Sequence, residues 1–421
     1  MLAPIRWLDR ASRALLGRPT PRLGDALLHA FDAVGPLDPR WGTAEELAVV
    51  RATLALYGRS IDQNPHVSAI GRFLLRTMGL GNLKVRAQFI DHYERNREFI
   101  EARGRVVRPL LVMGFPRTGT TLLHRLLSED PGARAPLTFE MEQPLPPLRT
   151  GMDPMADPRI ESSTANLQTL RKLAPGFIEK FSESHLWSAT APEELLTYVQ
   201  FQQGTTLMNS FTAGRPYLRA LFAPEMADAL LKYERNFVTM LDAHCPARSH
   251  WTNKAPAYCA YFPRIFDHYP DANVVVTHRH PATNVASVCR LLESWLVPFD
   301  EDGSFDKIRH GTIVFEELKC WFERPLAYRA VHPERESQIA DCLYTELMAD
   351  PIAMVRGIYA RFGLEYTQEF EGRMRAYLED NKQGKYGRHK YSNAEYGLSP
   401  EQLQSALPGY YAKYGYGLHD G

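Results

Sequence analysis

The sequence predicts an α/β fold, a parallel sheet flanked by helices, with a helical N-terminal region over residues 1–104. Three observations carry this. Two short β-rich apolar runs, Val106 to Met113 and Val274 to Thr277, have the continuous hydrophobicity of strands buried on both faces. Each is followed by a turn and then a helical stretch, an alternation that indicates a mainly parallel sheet. Up to about Gly104 the apolar residues fall at helical spacing.

Composition narrows the function. The chain has 421 residues, 44% of them hydrophobic, enough for a large core. Its 49 basic and 49 acidic residues cancel, which argues against nucleic-acid binding on a broad basic surface. No apolar stretch approaches the roughly 20 residues of a membrane span, and the start lacks the apolar core of a signal peptide. Ile5, Leu8, Ala11, Leu15 and Leu16 share one helix face beside Arg6, Arg10 and Arg13, which suits a docking helix or a weak contact with a membrane surface. The five cysteines are odd in number and lack C-x-x-C spacing, so disulfides and structural zinc are not expected; a cytoplasmic location is.

In chain order, Thr43 to Glu46 has the form of a capping box, followed by Leu47, Val50, Leu54 and Leu56. Gly79, Gly81 and Asn82 punctuate the region before a helix over Leu83 to Arg103. After the strand run at 106–113 comes a glycine-containing turn and a helix over Thr120 to Ser128. The proline-rich Pro144 to Pro158 and the helical, aromatic Leu291 to Arg324 suit insertions or lids. Thr190 to Glu193 is a second capping-box candidate, and Ser399 to Gln402 a helix start. Ser249 to Thr252 and Ile339 to Tyr344 complete the strand candidates.

The strongest chemical feature is Gly114-Phe115-Pro116-Arg117-Thr118-Gly119-Thr120-Thr121, between a strand and a helix. In that setting a P-loop-like turn cradles phosphate with backbone N–H groups, and the helix N-terminus adds partial positive charge. Gly114 and Gly119 have the Walker spacing, but Thr120 stands where the Walker lysine would be, and the cation sits inside the loop as Arg117. A second anion motif follows the Val274 strand: Arg279 at its end and Ser287 eight positions on, one charged fork and one hydroxyl donor. Alone, Arg279 suits a surface ion pair and Ser287 a helix surface equally well.

Together these segments resemble the sulfotransferases that use 3′-phosphoadenosine 5′-phosphosulfate (PAPS), over approximately Arg105 to Tyr396. The 114–121 segment looks like their 5′-phosphosulfate loop, Arg279 and Ser287 match their 3′-phosphate pair, and Tyr344-Thr345-Glu346-Leu347 with Asp350-Pro351 is similar to the segment whose tyrosine approaches adenine. The resemblance implies PAPS binding by Pro116, Arg117, Thr118, Gly119, Thr120, Thr121, Arg279, Ser287 and Tyr344, with no metal. It also implies that the late basic cluster Lys385, Arg388, His389 and Lys390 closes over the 3′-phosphate, Arg388 foremost. By the same resemblance Arg117 and Lys254 are the cations of the reaction. Lys254 occupies the position of the cytosolic branch's catalytic histidine and is better suited to a site near the sulfonate or its acceptor than to proton abstraction. Glu140 takes the place of the glutamate base of the tyrosylprotein branch, with Glu142, His124 and His185 as competitors. The implied reaction moves sulfonate to a hydroxyl of a small-molecule or lipid-like acceptor. A P-loop kinase or NTPase, and a non-catalytic nucleotide-binding relative, are the alternatives. Nothing in the pattern specifies an oligomeric state.

Overall fold

The computed structural model describes residues 22–35, 37–173, 188–206, 213–296, 305–381 and 392–418. The amphipathic start, His185 and the basic cluster around Arg388 lie outside the described residues.

Four strands form one parallel sheet in the order β2-β1-β3-β4: β1 is Leu110–Gly114, β2 Thr252–Lys254, β3 Asn273–His278 and β4 Ile339–Leu343. Both faces are covered, which explains the continuous hydrophobicity of Leu110 to Met113 and Val274 to Val276. Leu111, Met113, Val274 and Val276 join the large core on one face, and Leu110, Val112 and Val275 join a second core on the other. The strand expected at 249–252 begins at Thr252 instead. Its residues Thr252, Asn253 and Lys254 are polar yet fully buried, so hydrophobic patterning does not reveal them.

The helices before residue 105 are Leu23–Asp32, Ala44–Gln63, Ala69–Arg95 and Arg97–Arg103. The Thr43 capping box forms, with Glu46 N–H donating to Thr43 Oγ1 at 3.2 Å and Thr43 N–H to Glu46 Oε2 at 2.9 Å. Lys232 on the long helix Pro224–His244 also reaches Glu46, at 2.7 Å. The same large core runs from Leu23 through the helices and the sheet to Tyr411. Trp41 packs edge-on to Phe89 and Tyr93 and against Tyr233 of the long helix. The glycines at 79 and 81 do not punctuate: helix Ala69–Arg95 runs through them. At Gly79 a Cβ would meet Leu27 Cδ2 at 2.7 Å, so that glycine serves helix packing.

One further expectation changes. Thr190–Glu193 is no capping box, because the helix starts at Leu195 and Glu194 precedes it without a side-chain cap. The Pro144–Pro158 segment contributes no residue to the cavity described below, whereas Leu291, from the second proposed insertion, does. The start at Ser399 is as expected, a capping box with Gln402.

Candidate active site

Parallel pairing fixes where the site must lie. Gly114 is in register with Thr277, Val112 with Lys254 and Leu343 with His278. The loop after β1, Lys254, Arg279 and Tyr344 therefore all emerge at the carboxyl edge of the sheet. Strand order reverses between β1 and β3, and open α/β sheets bind ligands in the crevice at such a switch point. A cavity of about 200 Å³ lies there, lined by Pro116, Arg117, Gly119, Thr120, Thr121, Leu122, Glu194, Pro256, Arg279, Leu291, Tyr344 and Met348.

The loop is built to expose its backbone. Gly119 has φ 93° and caps the helix Thr120–Leu127 with no side-chain hydrogen bond, so the first-turn N–H groups have no side-chain acceptor at that cap. A Cβ at Gly119 would stand 2.9 Å from Leu347 and 3.3 Å from Tyr344. At Gly114 a Cβ would meet Thr277 Oγ1 at 2.1 Å, so glycine permits the close approach of β1 to β3. Arg117 holds φ 71°, a left-handed conformation that costs a non-glycine residue on the order of 1 kcal/mol and is found where the surroundings enforce it. Thr118 turns its hydroxyl inward to Phe115 O, at 2.6 Å, and does not line the cavity.

The two anion motifs meet directly. Arg117 Nε donates to Ser287 Oγ at 3.3 Å, and Arg279 donates to Arg117 O at 3.2 Å. The Arg279 guanidinium lies 4.2 Å from the centre of the Tyr344 ring. Two guanidiniums and an open helix N-terminus thus share one crevice, a donor set suited to a ligand with separated anionic groups. Ser287 is buried behind Arg117 and is not itself among the lining residues.

The carboxylate at this cavity is Glu194, not Glu140. Glu140 is fully buried, paired with Arg134 and accepting from Leu137 N–H at 3.1 Å. Both its oxygens are committed to holding the segment 134–142, and it does not line the cavity. Glu194 lines the cavity and accepts from Lys254 Nζ at 2.9 Å and from Thr197 Oγ1 at 3.0 Å. Lys254 is wholly buried behind it, so this cation reaches Glu194 and not the cavity. Glu193 completes the cluster, 3.9 Å from Lys254 Nζ, accepting from Arg125 at 3.3 Å and from Glu194 N–H at 3.1 Å.

The other competitors are also placed. His124 is fully buried; burial, with the Lys254 charge nearby, pushes its imidazole down to about 3, so it is neutral and donates from Nε2 to Thr252 O at 3.3 Å. Glu142 accepts from Ser163 Oγ at 2.6 Å, and burial raises its carboxyl. Neither lines the cavity. The sequence does not mark Glu193 and Glu194 as site residues, because Thr190-Ala191-Pro192-Glu193 mimics a helix start. The signal available was two adjacent acids after a proline, which is weak.

A model of the sulfotransferase family matches residues 109–368. The crystal structure of sulfotransferase STF9 from Mycobacterium avium is similar at TM-score 0.78 and 27% identity, covering 92% of this chain and 95% of that one. Sulfotransferase STF1 from Mycobacterium tuberculosis H37Rv is similar at TM-score 0.75 and 25% identity, covering 91% of this chain and 98% of that one. No curated protein matches the sequence.

Proposed function

The chain belongs to the sulfotransferase family, and from that premise we propose that it moves a sulfonate group from PAPS to a hydroxyl of a small-molecule or lipid-like acceptor, releasing adenosine 3′,5′-bisphosphate. The observation that carries this is the meeting of Arg117, Ser287, Arg279 and Tyr344 at one crevice that also holds a carboxylate, Glu194. PAPS carries a 5′-phosphosulfate and a 3′-phosphate on one nucleoside; the loop with Arg117 suits the first and Arg279 the second. The Gly119 cradle, which a Cβ would fill, fits close approach of the phosphosulfate to backbone N–H groups.

Transfer forms one acceptor O–S bond and breaks the S–O bond to the 5′-phosphate. Glu194 takes the acceptor proton. Lys254, hydrogen-bonded to Glu194 from behind, and Thr197 fix that carboxylate in one orientation. Arg117 and the loop N–H groups stabilise the charge that grows on the leaving phosphate oxygen. Arg279 holds the 3′-phosphate, and Tyr344 presents its ring to the nucleoside. Leu122, Leu291, Met348 and Pro256 also line the cavity, which favours an apolar alcohol as acceptor. Arg388 closing over the 3′-phosphate and the N-terminal membrane contact remain proposals from sequence.

A kinase or NTPase would need a cation where Thr120 stands. Thermal melting with ligand separates the readings, because a ligand stabilises the state it binds. Adenosine 3′,5′-bisphosphate is expected to raise the melting temperature more than ATP–Mg²⁺ at equal concentration. The reverse order contradicts the assignment.

A further inference from the structure

The C-terminal helix Pro408–Tyr414 and the turn after it carry Tyr410, Tyr411, Tyr414 and Tyr416. All four rings contact the two histidines that flank Arg279. Tyr414 stacks on His278 at 3.9 Å and Tyr410 leans on it at 5.7 Å. Tyr411 and Tyr416 each meet the His280 ring edge-on at 5.3 Å.

Hydrogen bonds fix the same grip. His280 Nδ1 accepts from Ala282 N–H at 3.2 Å, so its other nitrogen carries the proton and donates to Gly417 O at 2.7 Å. His278 donates from Nε2 to Asp341 at 2.8 Å, and its Nδ1 accepts from the Tyr410 hydroxyl at 3.0 Å. The backbone of Arg279 lies beside the same phenol. One buried phenol therefore holds His278, the residue next to Arg279, from behind, while Tyr344 and Arg117 O hold the guanidinium in front.

We propose that this C-terminal strap, with Tyr410 at its centre, is a positioning device for Arg279 and sets the preference for nucleotides that carry a 3′-phosphate. The proposal rests on the assignment of Arg279 to the 3′-phosphate made above. Tyr410 does not line the cavity; it acts through the arginine. A guanidinium grips phosphate well only when its fork is held in alignment, and Arg279 sits on the short connection between β3 and the next helix, where that alignment depends on what anchors the backbone. Removing the Tyr410 hydroxyl leaves the buried His278 Nδ1 without this partner and frees the connection to shift.

The test is calorimetric binding of adenosine 3′,5′-bisphosphate and of 5′-AMP to the full chain and to Tyr410→Phe, with melting curves to confirm folding. The wild type is expected to prefer the bisphosphate. Tyr410→Phe is expected to lower that preference roughly fivefold to tenfold, the equivalent of about one lost hydrogen bond, with 5′-AMP affinity unchanged. If Tyr410→Phe does not fold, Tyr416→Leu, which removes one ring from His280, is expected to shift the ratio in the same direction. A folded variant with an unchanged ratio overturns the proposal. So does equal weakening of both nucleotides, which is what a strap with only a packing role would give. A wild type with no preference for the bisphosphate overturns the 3′-phosphate assignment itself, and the strap's role with it.

Discussion

Glu194→Gln keeps the size of the side chain at the cavity and removes its ability to accept a proton. If Glu194 is the base, turnover of sulfonate transfer falls by roughly 10²- to 10⁴-fold, the usual contribution of a general base. Affinity for adenosine 3′,5′-bisphosphate, measured by calorimetry, stays within about twofold. Glu140→Gln is the matched comparison: it breaks the buried pair with Arg134, so melting temperature falls while turnover per folded molecule changes little. Equal turnover in wild type and Glu194→Gln removes Glu194 from the role. Arg117, Arg279 and Tyr344 were legible in the sequence because each stands at a strand end, within a motif of characteristic spacing. Glu194 was not, because its partner Lys254 is 60 positions away and only the fold brings them to 2.9 Å.

Loop geometry decides what the element after β1 can bind. Gly119→Ala places a methyl group 2.9 Å from Leu347 at φ 93°. The expected outcomes are a stability loss on the order of 1 kcal/mol and, because Tyr344 lies 3.3 Å from the same point, nucleotide binding weakened by roughly tenfold or more in calorimetric titration. Unchanged affinity would show that ligand does not occupy the cradle. At this scale β1, β3, β4 and the loop could be read from the chain, since each strand is a hydrophobic run ended by a turn or a functional segment. Strand β2 could not: Thr252, Asn253 and Lys254 are polar residues buried by their neighbours, and their extended form comes from pairing with β1. The helix through Gly79 and Gly81 was hidden for a related reason. Glycine normally weakens a helix, but Gly79 gives Leu27 room to pack.

Across the whole molecule, the core is continuous from the N-terminal helices to the C-terminal tyrosines, although the sequence pattern changes near residue 105. That core contains a group that makes stability depend on pH. Glu234 on the helix Pro224–His244 is fully buried, with Tyr269 OH donating to it at 3.0 Å, and burial pushes its carboxyl up from 4.5 to about 8. The folded state then retains a proton that the unfolded chain releases. Stability from this residue is complete below about 4.5 and is lost as pH rises towards about 8, by at most about 1.4 kcal/mol per pH unit. Glu234→Gln is expected to flatten the decline: its melting temperature should exceed the wild type's at pH 8 and come close to it at pH 5. A wild-type curve with no fall between those values contradicts the burial account. The formal charge of zero also takes its meaning at this scale, because the crevice draws its positive character from Arg117, Arg279 and helix N–H groups that net charge does not count.

The most direct measurement of the central claim is mass spectrometry of cell extract incubated with the purified protein and PAPS carrying isotopically labelled sulfonate. The account predicts labelled sulfonate on the hydroxyl of an apolar acceptor, with one adenosine 3′,5′-bisphosphate released per transfer and the reaction lost in Glu194→Gln. Folded protein that labels no acceptor and releases no bisphosphate would contradict it.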